Sequence, residues 1–137
     1  MLKEFIFHHI GIATANIERT AVFYLEAGYT QTPVIYDPIQ QVNICFLSRN
    51  SAPLIELVSP FTEASPVTEI IRKSGVTPYH ICYEVGDIHD SILKLKKKRF
   101  LPLFNPIPAA ALENRLICFL YNMDFGLIEL LQSNKAQ

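Results

Sequence analysis

The chain is predicted to fold as an α+β protein built from two tandem β-α-β-β-β modules, and three observations lead there. Three blocks occur twice in the same order: His9-Ile10-Gly11-Ile12 and His80-Ile81-Cys82-Tyr83, Ile44-Cys45-Phe46-Leu47 and Ile117-Cys118-Phe119-Leu120, Leu54-Ile55-Glu56-Leu57 and Leu127-Ile128-Glu129-Leu130. Their offsets agree closely, at 71 residues for the histidines and 73 for the other two blocks. Each copy also passes in the same order from strand-like runs to a helical period and back.

The elements follow along the chain. Phe5 to Ala13 is rich in β-branched and aromatic residues and reads as a strand. Asn16 is a good N-cap, and Ile17, Ala21, Val22, Tyr24 and Leu25 recur at helical spacing up to Gly28, a C-cap residue. Thr30 to Tyr36 is a second strand, ended by Asp37-Pro38. Gln41 to Leu47 and Pro53 to Val58 are the third and fourth. A connector at 59–77 carries Pro60 and a short helix opened by Ser65-Pro66 and closed before Gly75. The order then replays. Pro78 to Val85 is a strand, Asp87 caps a helix through about Arg99, and Phe100 to Phe104 is a short strand. Asn105 to Glu113 is a Pro- and Ala-containing loop, and Arg115 to Tyr121 and Phe125 to Leu131 close the copy. The tail after Gln132 is polar and expected to fray. The whole reads as a single domain over 1–137, with module one at about 5–58 and module two at about 78–132.

Composition narrows the function. Half of the residues are hydrophobic, nine are Phe, and the net charge is −1. That balance gives no reason to propose nucleic acid or an anionic membrane as a partner. The one basic run, Lys94 to Arg99, falls at the end of a predicted helix, where cations favour the helix dipole. Cys45, Cys82 and Cys118 each lie in an apolar run without chelating spacing and read as buried free thiols. No apolar run approaches a membrane span and no signal pattern opens the chain, so a cytoplasmic location is expected.

The repeated polar residues carry the chemistry. Side chains alternate faces along a strand, so His9 lies with Phe7 and Gly11, and Glu56 with Leu54 and Val58. In the second copy His80 lies with Cys82 and Glu84, and Glu129 with Leu127 and Leu131. Each module thus has one aliphatic face for its helix and an opposite face bearing a lone His or Glu among apolar residues. A carboxylate in such a strand is costly to bury alone. A divalent metal held by His9, Glu56, His80 and Glu129 explains both copies at once. Two neutral imidazoles and two carboxylates suit Mn, Co, Ni or Fe, or Zn of higher coordination. Asn43 in the third strand and Arg115 at the start of the seventh are candidate substrate-binding residues.

These residues resemble the vicinal oxygen chelate superfamily of glyoxalase I, methylmalonyl-CoA epimerase, extradiol dioxygenases and bleomycin-resistance proteins. The fragments His9-Ile10-Gly11-Ile12-Ala13, Ile55-Glu56-Leu57-Val58-Ser59-Pro60, Ser65-Pro66 and Tyr79-His80-Ile81-Cys82-Tyr83 are most similar to the epimerase branch. The resemblance implies a half-open barrel around a metal, with ligands from the first and last strands of each module. It implies a metal-dependent epimerase, isomerase or lyase that abstracts a proton α to a carbonyl, with Glu129 as the base and Glu56 as its partner. The substrate is then a small acyl thioester, such as a CoA thioester, or an α-keto compound. A lactoylglutathione lyase of the glyoxalase I kind and a non-catalytic binding or resistance protein are the alternatives. A homodimer is expected, since such modules pair across sheet edges or share a cleft between subunits.

Overall fold

The computed structural model describes residues 2–134; the last three residues of the predicted polar tail lie outside them. Strands and helices follow in the order β1 (Ile6–Ala13), α1 (Ile17–Glu26), β2 (Thr30–Gln31), β3 (Ile35–Asp37), β4 (Val42–Ser48), β5 (Ile55–Pro60), α2 (Thr68–Ser74), β6 (Thr77–Val85), α3 (Ile88–Lys96), β7 (Leu101–Pro102), β8 (Ile107–Ala109), β9 (Arg115–Asn122) and β10 (Gly126–Gln132). A turn of 3-10 helix at Ala110–Leu112 separates β8 from β9. The chain divides into two compact units, one of residues 9–79 and the other of the segment up to His8 with His80 onward.

In the amino-terminal unit the strand order is β2-β4-β5-β1, with β3 also paired to β4. β1 and β5 run parallel, with Ile10 opposite Ile55 and Gly11 opposite Glu56. A parallel pair requires a crossover, which α1 begins. Asn16 starts that helix by accepting a bond at 2.9 Å from the Arg19 N–H. Ile12, Ile17, Ala21, Cys45, Leu47, Ile55 and Leu57 form the buried core between α1 and one face of the strands. His9 and Glu56 take the other parity, as alternation along β1 and β5 demands.

The carboxy-terminal unit repeats the plan. Its order is β6-β10-β9-β7, with β8 also paired to β9. β6 and β10 are parallel, with Glu129 opposite Cys82. Asp87 caps α3 by accepting from Asp90 N–H at 3.1 Å. Val85, Ile88, Leu95, Cys118, Leu120, Ile128 and Leu130 build the core under α3. Gln132 fastens the end of β10 to the start of that helix, accepting from Ile88 N–H at 2.8 Å and donating to the Gly86 carbonyl at 2.6 Å.

Three local differences from the sequence expectation have physical causes. The predicted second strand is broken into β2 and β3 around Pro33, which has no N–H to give a ladder. The Pro- and Ala-containing loop hides β8, which pairs with β9 through Ile107, Pro108 and Ala109; proline is tolerated there because β8 has no second neighbour. The helix capped by Asp87, α3, stops at Lys96 rather than near Arg99, since Arg99 takes a left-handed φ of 68°. Among the described residues no helix is long and apolar enough to cross a membrane.

Candidate metal and proton-transfer residues

Within the amino-terminal unit, His9 stands on β1 and Glu56 on the adjacent β5. His9 Nε2 lies 3.3 Å from Glu56 Oε1, and the two side chains are 0% and 4% exposed. Within the carboxy-terminal unit, His80 stands on β6 and Glu129 on the adjacent β10. His80 Nε2 lies 3.0 Å from Glu129 Oε1, at 0% and 4% exposure. The same pair is therefore built twice from the same two strands of each copy. In both, the residue opposite the carboxylate on the parallel strand is small: Gly11 opposite Glu56, and Cys82 opposite Glu129.

Each pair has an aromatic companion that the sequence reading did not single out. Phe46 is the cross-strand partner of Glu56, and its ring stands at 74° to the His9 imidazole with centroids 5.5 Å apart. Phe119 is the cross-strand partner of Glu129 and stands at 87° to His80, at 5.0 Å. The signal was present in the repeated Ile-Cys-Phe-Leu block. A phenylalanine in an apolar strand is read as core by default, which is why the sequence alone did not mark it.

The other predicted residues are placed as follows. Asn43 pairs with Ser59 across β4 and β5, three positions along from the Phe46–Glu56 pair and so of the opposite parity. It therefore shares a face with Cys45 and Leu47, opposite to Glu56, and is not brought to the His9–Glu56 pair. Gln40 and Gln41, its neighbours, are spent on the turn before β4: Gln40 donates to the buried Asp37 carboxylate at 2.9 Å, and Gln41 to the Pro38 carbonyl at 2.7 Å. Arg115 shares its face of β9 with Phe119. Its guanidinium pairs with Glu84 and donates to the Gln132 carbonyl at 2.8 Å. Glu84 shares the His80 face of β6 but lies four residues along it, about 13 Å away. Arg115 and Glu84 form an ion pair tying β9 to β6 at the end of that face. The thiols of Cys45 and Cys118 are buried, and burial pushes each up to about 11. They remain protonated near neutrality, which disfavours them as metal ligands.

The chain is similar to known proteins over most of its length. Residues 8–119 match the family described as Glyoxalase/Bleomycin resistance protein/Dioxygenase superfamily. The chain is 30% identical over 135 residues to an ethylmalonyl-CoA/methylmalonyl-CoA epimerase of Cereibacter sphaeroides, covering 91% of this chain and 96% of the relative. It is 28% identical over 130 residues to the mitochondrial methylmalonyl-CoA epimerase of Homo sapiens, covering 92% of this chain and 73% of the relative. The crystal structure of a methylmalonyl-CoA epimerase from Mycobacterium tuberculosis superposes with a TM-score of 0.81, covering 94% of this chain and 88% of the other at 22% identity. The predicted glyoxalase-like α+β fold is thereby shown.

Proposed function

The chain belongs to the glyoxalase/bleomycin resistance protein/dioxygenase superfamily, and on that premise we propose that it is a divalent-metal-dependent epimerase moving the proton α to the carbonyl of a small acyl-CoA thioester. The observation that carries this reading is the buried His–Glu pair built twice, at 3.3 and 3.0 Å. The substrate class is supported by relatives named as methylmalonyl-CoA and ethylmalonyl-CoA epimerases.

In this reading His9, Glu56, His80 and Glu129 together hold one cation. The spacing within each pair fits that role. Nitrogen and oxygen donors that share one ion would stand about 3 Å apart, the separation found within each pair. Mixed imidazole and carboxylate donors suit Co, Mn, Ni, Fe or a Zn of raised coordination number. When bound, the cation supplies Lewis-acid stabilisation of negative charge developing on the substrate carbonyl oxygen.

The remaining steps fall to the side chains. Glu129 accepts the α-proton from one face of the substrate carbon; Glu56, its counterpart in the repeat, enters the turnover as the protonated acid and gives its proton to the other face, so the two groups exchange protonation states and the reverse reaction starts from the opposite pair. Phe46 and Phe119 line the carboxylates with apolar surface, which keeps competing water away from the transferred proton. A homodimer is part of the same reading. It is supported by the exposed apolar pair Leu101 and Tyr121 at the β7 edge, and light scattering on the purified protein decides it.

The test is metal analysis of the purified protein, followed by exchange of the α-proton of methylmalonyl-CoA in deuterated water. The expected result is about one metal per chain and exchange that chelator abolishes. Protein without divalent metal that still exchanges the proton, or that never does with any metal supplied, would overturn the proposal.

A further inference from the structure

Both histidines of the proposed site rest edge-to-face on a phenylalanine, and the repeat supplies that ring twice. Phe46 and Phe119 are 73 residues apart, the offset that also relates Glu56 to Glu129. Filling a gap in an apolar face requires only bulk, which Leu or Ile provides. A ring at 74° and 5.5 Å to one imidazole, and at 87° and 5.0 Å to the other, does more than fill space. The imidazole turns about a broad, two-fold torsion that sterics alone define poorly. An aromatic neighbour set perpendicular to it selects one ring plane.

We infer that Phe46 and Phe119 are positioning residues that fix the ring planes of His9 and His80, and so the direction in which each Nε2 points; as a statement about metal affinity this rests on the metal-dependent reading above. A ligand already oriented loses less freedom when it binds. Each phenylalanine is also the cross-strand partner of the carboxylate in its pair, so one side chain borders both donors. The carboxy-terminal copy is braced further. Phe104 packs on Phe119 at 6.1 Å and 61°, which makes a column of Phe104, Phe119 and His80.

The variants Phe46→Leu and Phe119→Leu test this, with Ile117→Val as a packing control. Ile117 is fully buried and lies two residues from Phe119 on the same strand. Two quantities are read: the affinity of the metal-free protein for Co²⁺ by calorimetry, and the tautomer of each imidazole in the metal-free protein by long-range ¹⁵N–¹H correlation. Loss of a group that orients a ligand is expected to weaken Co²⁺ binding at least about tenfold in each Leu variant. The control stays near the wild-type value. In the metal-free Leu variants the neighbouring histidine passes from one tautomer to an average of two, while the other histidine is unchanged. Wild-type affinity and unchanged tautomers in the Leu variants overturn the inference, as does an equal loss in Ile117→Val. Wild-type protein that takes up no Co²⁺ sinks the metal-dependent reading instead. The tautomer measurement then still decides whether the rings are fixed by phenylalanine.

Discussion

His9, Glu56, His80 and Glu129 were legible in the sequence because they are polar residues at matching places in apolar strands, and burial of a carboxylate needs a partner to offset lost hydration. Their phenylalanine companions were not, because an aromatic in such a strand has an ordinary packing explanation. The placement of Asn43 was not legible for a different reason: its strand was, but its phase relative to Glu56 depends on a register that sequence does not show. Replacing Glu129 by Gln keeps the shape but removes the proton acceptor and, in the proposed site, one charged metal donor. The expected outcome is a fall in α-proton exchange of at least about 100-fold, with the far-ultraviolet dichroism of the wild type. Exchange within a few-fold of wild type would remove Glu129 as the base. The cysteines give a second test at this scale. Burial raises the Cys45 and Cys118 thiols from 9.0 to about 11. Between those values the folded protein keeps protons that the unfolded chain releases, so stability holds below pH 9 and declines as pH rises toward 11. The urea midpoint is expected to drop over that range, and to drop less in a Cys45→Ala/Cys118→Ala double variant. Equal drops in both proteins would exclude the thiols as the cause.

At the scale of elements, the repeat acts as an internal control on local chemistry. The two long helices end in the same way. Tyr29 N–H returns to the Tyr24 carbonyl at 3.0 Å in one copy, and Phe100 N–H to the Leu95 carbonyl at 3.1 Å in the other. The turn requires a left-handed residue just before that return. One copy supplies Gly28 at φ 92°, the other Arg99 at φ 68°. A side chain is disfavoured in that region and glycine is not. Gly28→Ala is therefore expected to lower stability by about 1 kcal/mol, since a Cβ there meets nothing closer than Arg49 Nε at 3.8 Å and only the backbone objects. Arg99→Gly is expected to raise it by roughly 0.5–1 kcal/mol. Urea denaturation of the two variants checks both signs. No change in either would mean the turn tolerates a side chain without strain. Both helices and the long strands were readable because caps and periodicity agree with each other, as with Asn16 and Asp87. The short β8 was not, since Pro106 and Pro108 argue against a strand unless its place at an edge is already known.

At the scale of the whole molecule, duplication sets what ligand binding does to stability. Each compact unit holds its own core under its own helix, Leu47 and Leu57 in one, Leu120 and Leu130 in the other. Each also contributes one buried His–Glu pair. If the proposed cation takes both pairs, it binds tightly only when both units are folded, because the unfolded chain does not assemble the four ligands. Linkage then converts affinity into stability: at free metal about 100 times the dissociation constant the gain is about 2.7 kcal/mol. For a chain of this length that raises Tm by roughly 10 °C. The informative comparison is Glu56→Gln with Glu129→Gln, one from each unit. Each is expected to lose most of the metal-dependent rise in Tm, because a centre of four ligands weakened from either side loses affinity for the same ion. A scanning-calorimetry series with and without Co²⁺ distinguishes this from two independent half-sites. There, either variant would keep about half of the effect and the double variant alone would abolish it. Retention of the full rise in either single variant would mean that the carboxylate it removes is not a ligand.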